Sequence, residues 1–358
     1  MTTVLCTLYN SLYLDKGLVL YDSLCRCSKD FKLYVLCMDD KCYEVLTDLK
    51  QVHHIPIRLQ DFESANKELI SVKPSRTLGE YFWTCGSLFL KYVIEKFNPD
   101  YCTYIDADMA FYDDPQCIID EMIRRNASVS IVGHRFSHHA KEQEWKVGKY
   151  CVECNTFKND KNGIELLNIW ANQCLDYCSI DGDGIHWADQ KYMDNWVDDY
   201  PYVIELENLG AGVAPWNISQ YKLKSYNDSH ITLQCKDRSW PLLFYHFEGI
   251  TYLSENKADL HVFKYWGIQE KLVYSLYDPY LSEIAYYKKI LRDKYGISAI
   301  IKHHPGVAQK GKSPFWIRIK HVLSAIFQFK LNKYISFYNI INGKKNIRVI
   351  KVKESYDS

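Results

Sequence analysis

The first sixty residues alternate between short apolar runs and segments whose apolar positions recur at helical spacing. Residues 4–8 read as a strand, and residues 16–28 show helical apolar spacing at Leu18, Leu20/Tyr21 and Leu24. Phe31–Cys37 is a second strand, stopped by Asp39-Asp40; residues 42–49 form a helix and 53–57 a third strand. A β-α-β-α-β order predicts a parallel sheet covered on both faces. Such sheets bind ligands at the carboxyl ends of their strands.

The same pattern continues downstream. Residues 77–96 read as a long helix with an aromatic start, preceded by Arg76. After a strand from Tyr101, Asp113-Asp114-Pro115 caps a helix running to about Arg125. Residues 128–132 and 151–157 are strands, with 164–178 an amphipathic helix between the latter and a glycine-rich loop. The spacing predicts a helix from Asp189 to Trp196, a strand over 202–206, and a last clear strand over 242–247 that carries His246. From Leu253 onward the pattern turns to Tyr-rich, Lys-rich helices. The expected organisation is a catalytic domain over 1–252, a helical extension over 253–305 and a basic amphipathic tail over 306–358.

Candidate chemistry centres on Tyr101-Cys102-Thr103-Tyr104-Ile105-Asp106-Ala107-Asp108. In a strand, residues i and i+2 lie on the same side, so Asp106 and Asp108 point together at one spot beyond the strand's end. Two converging carboxylates repel one another and ask for a cation. Hard oxygen ligands suit Mg²⁺ or Mn²⁺ completed by substrate phosphates. Asp181 and Asp183 have the same spacing, but they sit in a glycine-rich loop after a helix and read as a solvated turn. Thr7, Leu8 and Tyr9 end the first strand on the same rim as Asp106. His134, His138 and His139 read as a polar loop, and His246 taken alone as a core histidine.

Charge and cysteine content refine this picture. Lys plus Arg and Asp plus Glu each number 44, yet residues 302–358 carry twelve of the basic residues against only Glu354 and Asp357. An acidic body with a basic tail points to an anionic partner for the tail. Trp316, Ile319, Leu323, Ile326 and Phe327 lie opposite Arg318, His321, Ser324 and Gln328, which resembles an interfacial membrane segment; the alternative is a helix packed on the body. The acidic body lacks a basic aromatic face and argues against nucleic acid. Thirteen cysteines without a secretory signal are expected as reduced thiols in a cytosolic protein. Cys174 and Cys178 read as core residues rather than zinc ligands with Cys151 and Cys154. No run reaches transmembrane length.

Taken in order, these motifs resemble bacterial nucleotide-sugar glycosyltransferases of the GT-A fold. The nearest in motif order is the retaining family 8, which includes glycogenin and lipopolysaccharide galactosyltransferases, and the resemblance covers roughly residues 3–250. Ile105-Asp106-Ala107-Asp108 is similar to that family's Asp-x-Asp, Cys154-Asn155-Thr156-Phe157 to its Phe-Asn-Ser-Gly, and Asp189-Gln190 to its Asp-Gln. Pro215-Trp216-Asn217 resembles its loop ending in Asn, and His246-Phe247-Glu248-Gly249 its His-x-x-Gly. The run 5–24 and the run 76–85 also resemble uncharacterised bacterial surface-polysaccharide glycosyltransferases.

The resemblance implies a fold and a set of roles. An α/β GT-A catalytic domain would hold Mn²⁺ or Mg²⁺ on Asp106, Asp108 and His246, bridging the diphosphate of a UDP-hexose donor. Thr7, Leu8 and Tyr9 would line the base and ribose pocket, with Arg76 and Asp106 toward the donor phosphates. Asn155, Asp189 and Gln190 would surround the sugar and the hydroxyls of a saccharide or lipid-linked acceptor. A retaining reaction would use Gln190 or Asn155 to stabilise the cationic ring, whereas an inverting one would use Asp189 as base. Such a protein would be cytoplasmic and peripheral at the inner face of the plasma membrane. The chain departs from the family in two places: Ile250-Thr251-Tyr252 replaces the Lys-Pro-Trp segment, and Phe157 replaces a small Gly. Two other classes fit less well. A nucleotidyltransferase would show a Gly- and Lys-rich loop where Thr7-Leu8-Tyr9-Asn10 stands, and a non-catalytic binding relative has no need of all three ligands.

Overall fold

The computed structural model describes residues 1–227, 230–264, 267–298 and 345–350. The amino-terminal half comprises β1 (Thr3–Tyr9), α1 (Leu14–Cys27), β2 (Phe31–Cys37), α2 (Asp40–Leu49), β3 (His54–Arg58), α3 (Leu59–Ala65), α4 (Lys67–Val72), α5 (Leu78–Phe97), β4 (Tyr101–Ile105) and β5 (Met109–Phe111). There follow α6 (Gln116–Arg124), β6 (Val129–Gly133), α7 (Glu144–Val147), β7 (Tyr150–Lys158), α8 (Lys161–Asp176), α9 (Trp196–Asp199) and β8 (Val203–Glu205). The remainder is β9 (Lys222–Asn227), β10 (His230–Cys235), β11 (Arg238–Pro241), β12 (Phe244–His246), β13 (Thr251–Ser254), β14 (Lys257–Asp259), α10 (Glu270–Tyr295) and β15 (Ile347–Val349).

The main sheet has the order β3-β2-β1-β4-β7-β6-β8. Strands β3, β2, β1 and β4 run parallel, as expected from their alternation with helices; β7 is antiparallel to both β4 and β6. Every residue of β1 and of β4 is buried, the mark of strands covered on both faces. One face packs against α1, α2 and α10 through Leu18, Leu24, Val45, Leu276 and Leu281. The other packs against α5 and α8 through Phe89, Val93, Leu166 and Trp170. Helix α5 opens with a reciprocal cap between Thr77 and Glu80. Close approach of α1 to the sheet requires Gly17, where a Cβ would stand 2.4 Å from the Tyr9 ring.

A small two-stranded sheet matters most for function. β5 pairs antiparallel with β12, so that His246 lies opposite Met109, immediately after the Asp106–Asp108 turn. The backbone N–H of Phe247 donates to the Asp108 carbonyl at 2.8 Å and closes the join.

Two sequence expectations are corrected, and one element is unexpected. Residues 189–196 do not form a continuous helix. Ala188 has a φ of 49°, Asp189 and Gln190 lie in a turn, and a 3₁₀ turn over Lys191–Met193 precedes α9. Asp189 is therefore not held by a helix N-terminus; the reversal at Ala188 sets its position instead. The antiparallel meander β9-β10-β11 went unread because β9 is mostly exposed and shows no apolar alternation. Past Leu253 the chain makes a β13-β14 hairpin before α10, with β15 joining it as a third strand. Helix α10 shares a hydrophobic cluster with α1 and β12. Segment 314–330 and most of the basic tail assigned to a membrane surface lie outside the described residues. Lys345 and Arg348 pair with Glu270 and Asp278 of α10. Among the described residues no helix is long and apolar enough to cross a membrane.

Candidate active site

Strand β4 delivers Asp106 and Asp108 to the carboxyl edge of the sheet, and the β5–β12 pairing brings His246 to meet them. His246 Nε2 lies 3.2 Å from Asp108 Oδ1 and 3.9 Å from Asp106 Oδ2. Neighbouring ligands on a cation with bonds of about 2.1 Å stand about 3 Å apart. The Asp108–His246 pair meets that spacing, while Asp106 stands farther off. The group among the described residues whose ligand atoms all lie within 4.8 Å of one another is Cys151, Glu153 and His246. His246 Nδ1 lies 2.6 Å from Glu153 Oε2. Glu153 is wholly buried in β7, and its backbone carbonyl accepts from Asp106 N–H at 3.1 Å. Lys16 of α1 completes the cluster, its ammonium 3.7 Å from Asp108 Oδ2, and Tyr104 donates to Asp106 at 3.3 Å.

Three carboxylates here face one imidazole and one ammonium. Burial pushes Asp106 up to about 6; His246 opposes the shift, and Asp108 and Glu153 add to it. Burial also works against ionisation of Asp108, but Lys16 and His246 outweigh it and hold that carboxyl below the usual range. For His246 burial disfavours the charge, yet Asp108 and Glu153 hold its pKa well above the ordinary imidazole value. Two carboxylates and an imidazole, with excess negative charge around them, fit a divalent cation of the Mn²⁺ or Mg²⁺ kind. Cys151, Glu153 and His246 also approach one another, but through the Nδ1 side of the imidazole that Glu153 already engages.

The structure sorts the other expected residues. Asp189, 5 % exposed, comes close enough to Asp106 for their charges to interact; burial first and then Asp106 push it up to about 8. Asn155 is fully buried on β7, its amide nitrogen on Met193 Sδ at 3.5 Å and its carbonyl oxygen without a hydrogen-bond partner among the described residues. Gln190 donates its amide to the Val147 carbonyl at 2.7 Å. Thr7 and Leu8 are buried within β1, and Thr7 Oγ1 has no partner among the described residues. The Tyr9 ring turns beneath α1 and its hydroxyl meets His54 Nε2 at 3.2 Å, so the side chain belongs to the core rather than the rim. Arg76 donates to the Leu175 carbonyl at 2.9 Å and so neutralises the carboxyl end of α8, not the carboxylate cluster.

Glu153 and Lys16 were missed by sequence reasoning. The available signal for Glu153 was a lone charge inside an apolar strand, two residues from Asn155 and hence on its face. For Lys16 it was a lysine facing inward from a helix that packs on the sheet. The loop 212–217 is also better defined than its motif implied. Asn217 donates to the carbonyls of His134 and Gly212 and accepts from Ala214 N–H, and the Trp216 ring stands edge-on to His246 at 5.5 Å. His134 is stacked on Phe136 within the same packing. Asp183 takes the N–H groups of Ile185 and His186, the solvated turn expected of it.

A mixed α/β fold with a mostly parallel seven-stranded sheet thus carries an acidic, histidine-backed site at the carboxyl edge of its strands. No protein-family model matches the chain. It is 30% identical over 279 residues to the uncharacterized protein YfnD of Bacillus subtilis (strain 168), spanning 77% of this chain and 86% of that one. It is 32% identical over 266 residues to YfnF of the same organism, spanning 72% and 84%. The chain belongs to the family of YfnD and YfnF. Solved structures with some likeness include the galactosyltransferase LgtC with donor and acceptor sugar analogs, at 12% identity and a TM-score of 0.47 over 69% of this chain and 87% of that one. Mouse xyloside xylosyltransferase 1 is 12% identical with a TM-score of 0.44, covering 69% and 98%. Glycosyltransferase GlyE of Streptococcus pneumoniae TIGR4 is 12% identical with a TM-score of 0.36, covering 58% and 46%.

Proposed function

We propose that this protein is a glycosyltransferase that moves a sugar from a nucleoside-diphosphate donor with the help of a divalent cation. The observation that carries the reading is the meeting of Asp106, Asp108 and His246 at the carboxyl edge of the sheet, backed by Glu153. These three side chains would hold Mn²⁺ or Mg²⁺. When bound, the cation supplies electrostatic stabilisation of charge on the leaving diphosphate. Asp189 lies beside Asp106, with Gln190 next to it and Asn155 on the neighbouring strand, a set of polar groups suited to sugar and acceptor hydroxyls.

A UDP-hexose donor and a saccharide or lipid-linked acceptor of surface-polysaccharide type follow from the sequence resemblance, as do the roles of Thr7 and Leu8. The basic tail's role toward an anionic membrane surface follows from its charge and amphipathic pattern. Between the two stereochemical courses, burial of Asp189 favours retention. A base must be ionised, and a carboxyl held up to about 8 is mostly protonated at neutral pH. The inverting course becomes available to the extent that a cation on Asp106 relieves the repulsion.

The test is calorimetric titration of UDP with and without Mn²⁺ into the wild type and Asp108→Asn. Cation-dependent binding that the substitution abolishes supports the donor site, and turnover of UDP-sugars then identifies the hexose. UDP binding indifferent to Mn²⁺ and to Asp108→Asn would refute the cation assignment.

A further inference from the structure

A second group of buried polar side chains lies against Asp108. Asp15 and Lys16 sit in the first turn of α1, and both are almost wholly buried. The Lys16 ammonium stands over the Tyr13 ring at 3.9 Å as well as 3.7 Å from Asp108. Asp15 accepts a hydrogen bond from the Tyr252 hydroxyl at 3.0 Å. From α10 two more side chains reach this region. Lys288 places its ammonium 3.3 Å over the Tyr252 ring, and Tyr280 stacks on Phe247 with ring centres 3.7 Å apart. The charges of Asp15 and Lys16 act on Lys288, and those of Asp108 and Asp15 act on Tyr280.

The Lys288 ammonium and the Tyr280 hydroxyl are both shielded from solvent, and neither has a hydrogen-bond partner among the described residues. Buried donors of this kind are costly unless an acceptor meets them. An ammonium offers three donors and no acceptor, and a phenol offers one donor. Two ammoniums and a hydroxyl beside a carboxylate that would hold a cation suit an anion with many oxygens, which can satisfy both sets of groups.

We propose that Lys16, Lys288 and Tyr280 form a subsite for the diphosphate of the donor, a role that rests on the donor reading given above. The subsite gives α10 a direct part in binding, because this helix supplies two of its three donors. Burial, partly offset by Asp15 and Glu255, brings the Lys288 pKa down to about 8, so the group is mostly charged at neutral pH and an arriving anion favours that form further.

Removing an unpaired buried donor should leave the fold as stable or more stable while weakening diphosphate binding. A structural role predicts the opposite on stability. The experiment titrates UDP, CDP, GDP and dTDP, and the matching nucleosides, into the full-length protein with Mn²⁺, for wild type, Lys288→Met and Tyr280→Phe. The tightest diphosphate should bind about tenfold more weakly to Lys288→Met and a few-fold more weakly to Tyr280→Phe. Affinity for its nucleoside and the thermal midpoint should not fall. Tyr280→Phe removes one atom and keeps the test decisive if Lys288→Met folds poorly. Unchanged diphosphate affinity in both variants overturns the subsite and leaves the donor reading standing. Equal losses for diphosphate and nucleoside also overturn it, pointing to a general distortion. A wild type that binds none of the four diphosphates overturns both readings.

Discussion

His246 faces Glu153 through Nδ1 at 2.6 Å and Asp108 through Nε2 at 3.2 Å, so one imidazole joins a buried strand carboxylate to the Asp-x-Asp turn. When Nδ1–H donates to Glu153, Nε2 is the atom left to face a cation, and the ring cannot rotate away. Carboxylate–histidine–metal arrangements of this kind orient the ligand and raise its basicity. Glu153→Gln should therefore weaken Mn²⁺ binding by about 10- to 100-fold while the fold survives. Titration of Mn²⁺ followed by its electron paramagnetic resonance signal checks this. An unchanged dissociation constant would show that Glu153 merely fills space.

The pH dependence of stability offers an independent check on Asp189. Its folded pKa of about 8 lies above the ordinary aspartate value of 3.8, so the fold favours the protonated form. The associated stability is fully present below about pH 4 and is lost as pH rises through 8. Asp189→Asn mimics the protonated state at every pH. Its urea midpoint should exceed that of the wild type by more at pH 8 than at pH 5, in buffer containing a chelator. A difference that does not grow with pH would mean that Asp189 is not held protonated.

Gly17 tests how tightly α1 is seated on the sheet. A Cβ there would meet Tyr9 Cζ, Cε1 and the hydroxyl at 2.4 to 2.8 Å, and His54 holds that same hydroxyl at 3.2 Å. Overpacking of a core costs about 1–3 kcal/mol, against a gain of up to about 1 kcal/mol from replacing glycine in a helix. Gly17→Ala should lower the denaturation midpoint. Stabilisation instead would imply that Tyr9 has room to move.

Much of this architecture is legible in the pattern of residues. The parallel half of the sheet appears as apolar runs broken by helical spacing, because strands buried on both faces leave no alternation to misread. Strand alternation points to Asp106 and Asp108, but β4 ends at Ile105 and a turn between β4 and β5 places the pair instead. His246 is different: its pairing depends on β12 lying against β5, a contact spanning more than a hundred residues, and only motif order indicated it. Glu153 escaped notice since its partner is that same distant histidine. Arg76 and Tyr9 sit in suggestive positions, yet α8 and His54 claim their polar ends. In the meander β9–β11 only β10 alternates, burying Ile231 and Leu233; β9 and β11 are mostly exposed, so the unit as a whole leaves little trace in hydrophobic periodicity.

Asn217 ties the loop beside the site and supports the last prediction. Wholly buried, it donates to the His134 and Gly212 carbonyls at 2.8 and 2.7 Å and accepts from Ala214 N–H at 3.0 Å. Asn217→Ala strands the Gly212 carbonyl and the Ala214 amide in the interior, each unsatisfied group costing about 1–3 kcal/mol. The loop also sets Trp216, whose indole N–H donates to the same His134 carbonyl and whose ring flanks His246. Asn217→Ala should accordingly lower the urea midpoint more than Glu153→Gln does and weaken Mn²⁺ binding less, because it loosens the packing around His246 without removing its hydrogen-bond partner. The reverse order, measured on the two variants side by side, would mean that loop 212–217 rather than β7 sets the imidazole's position.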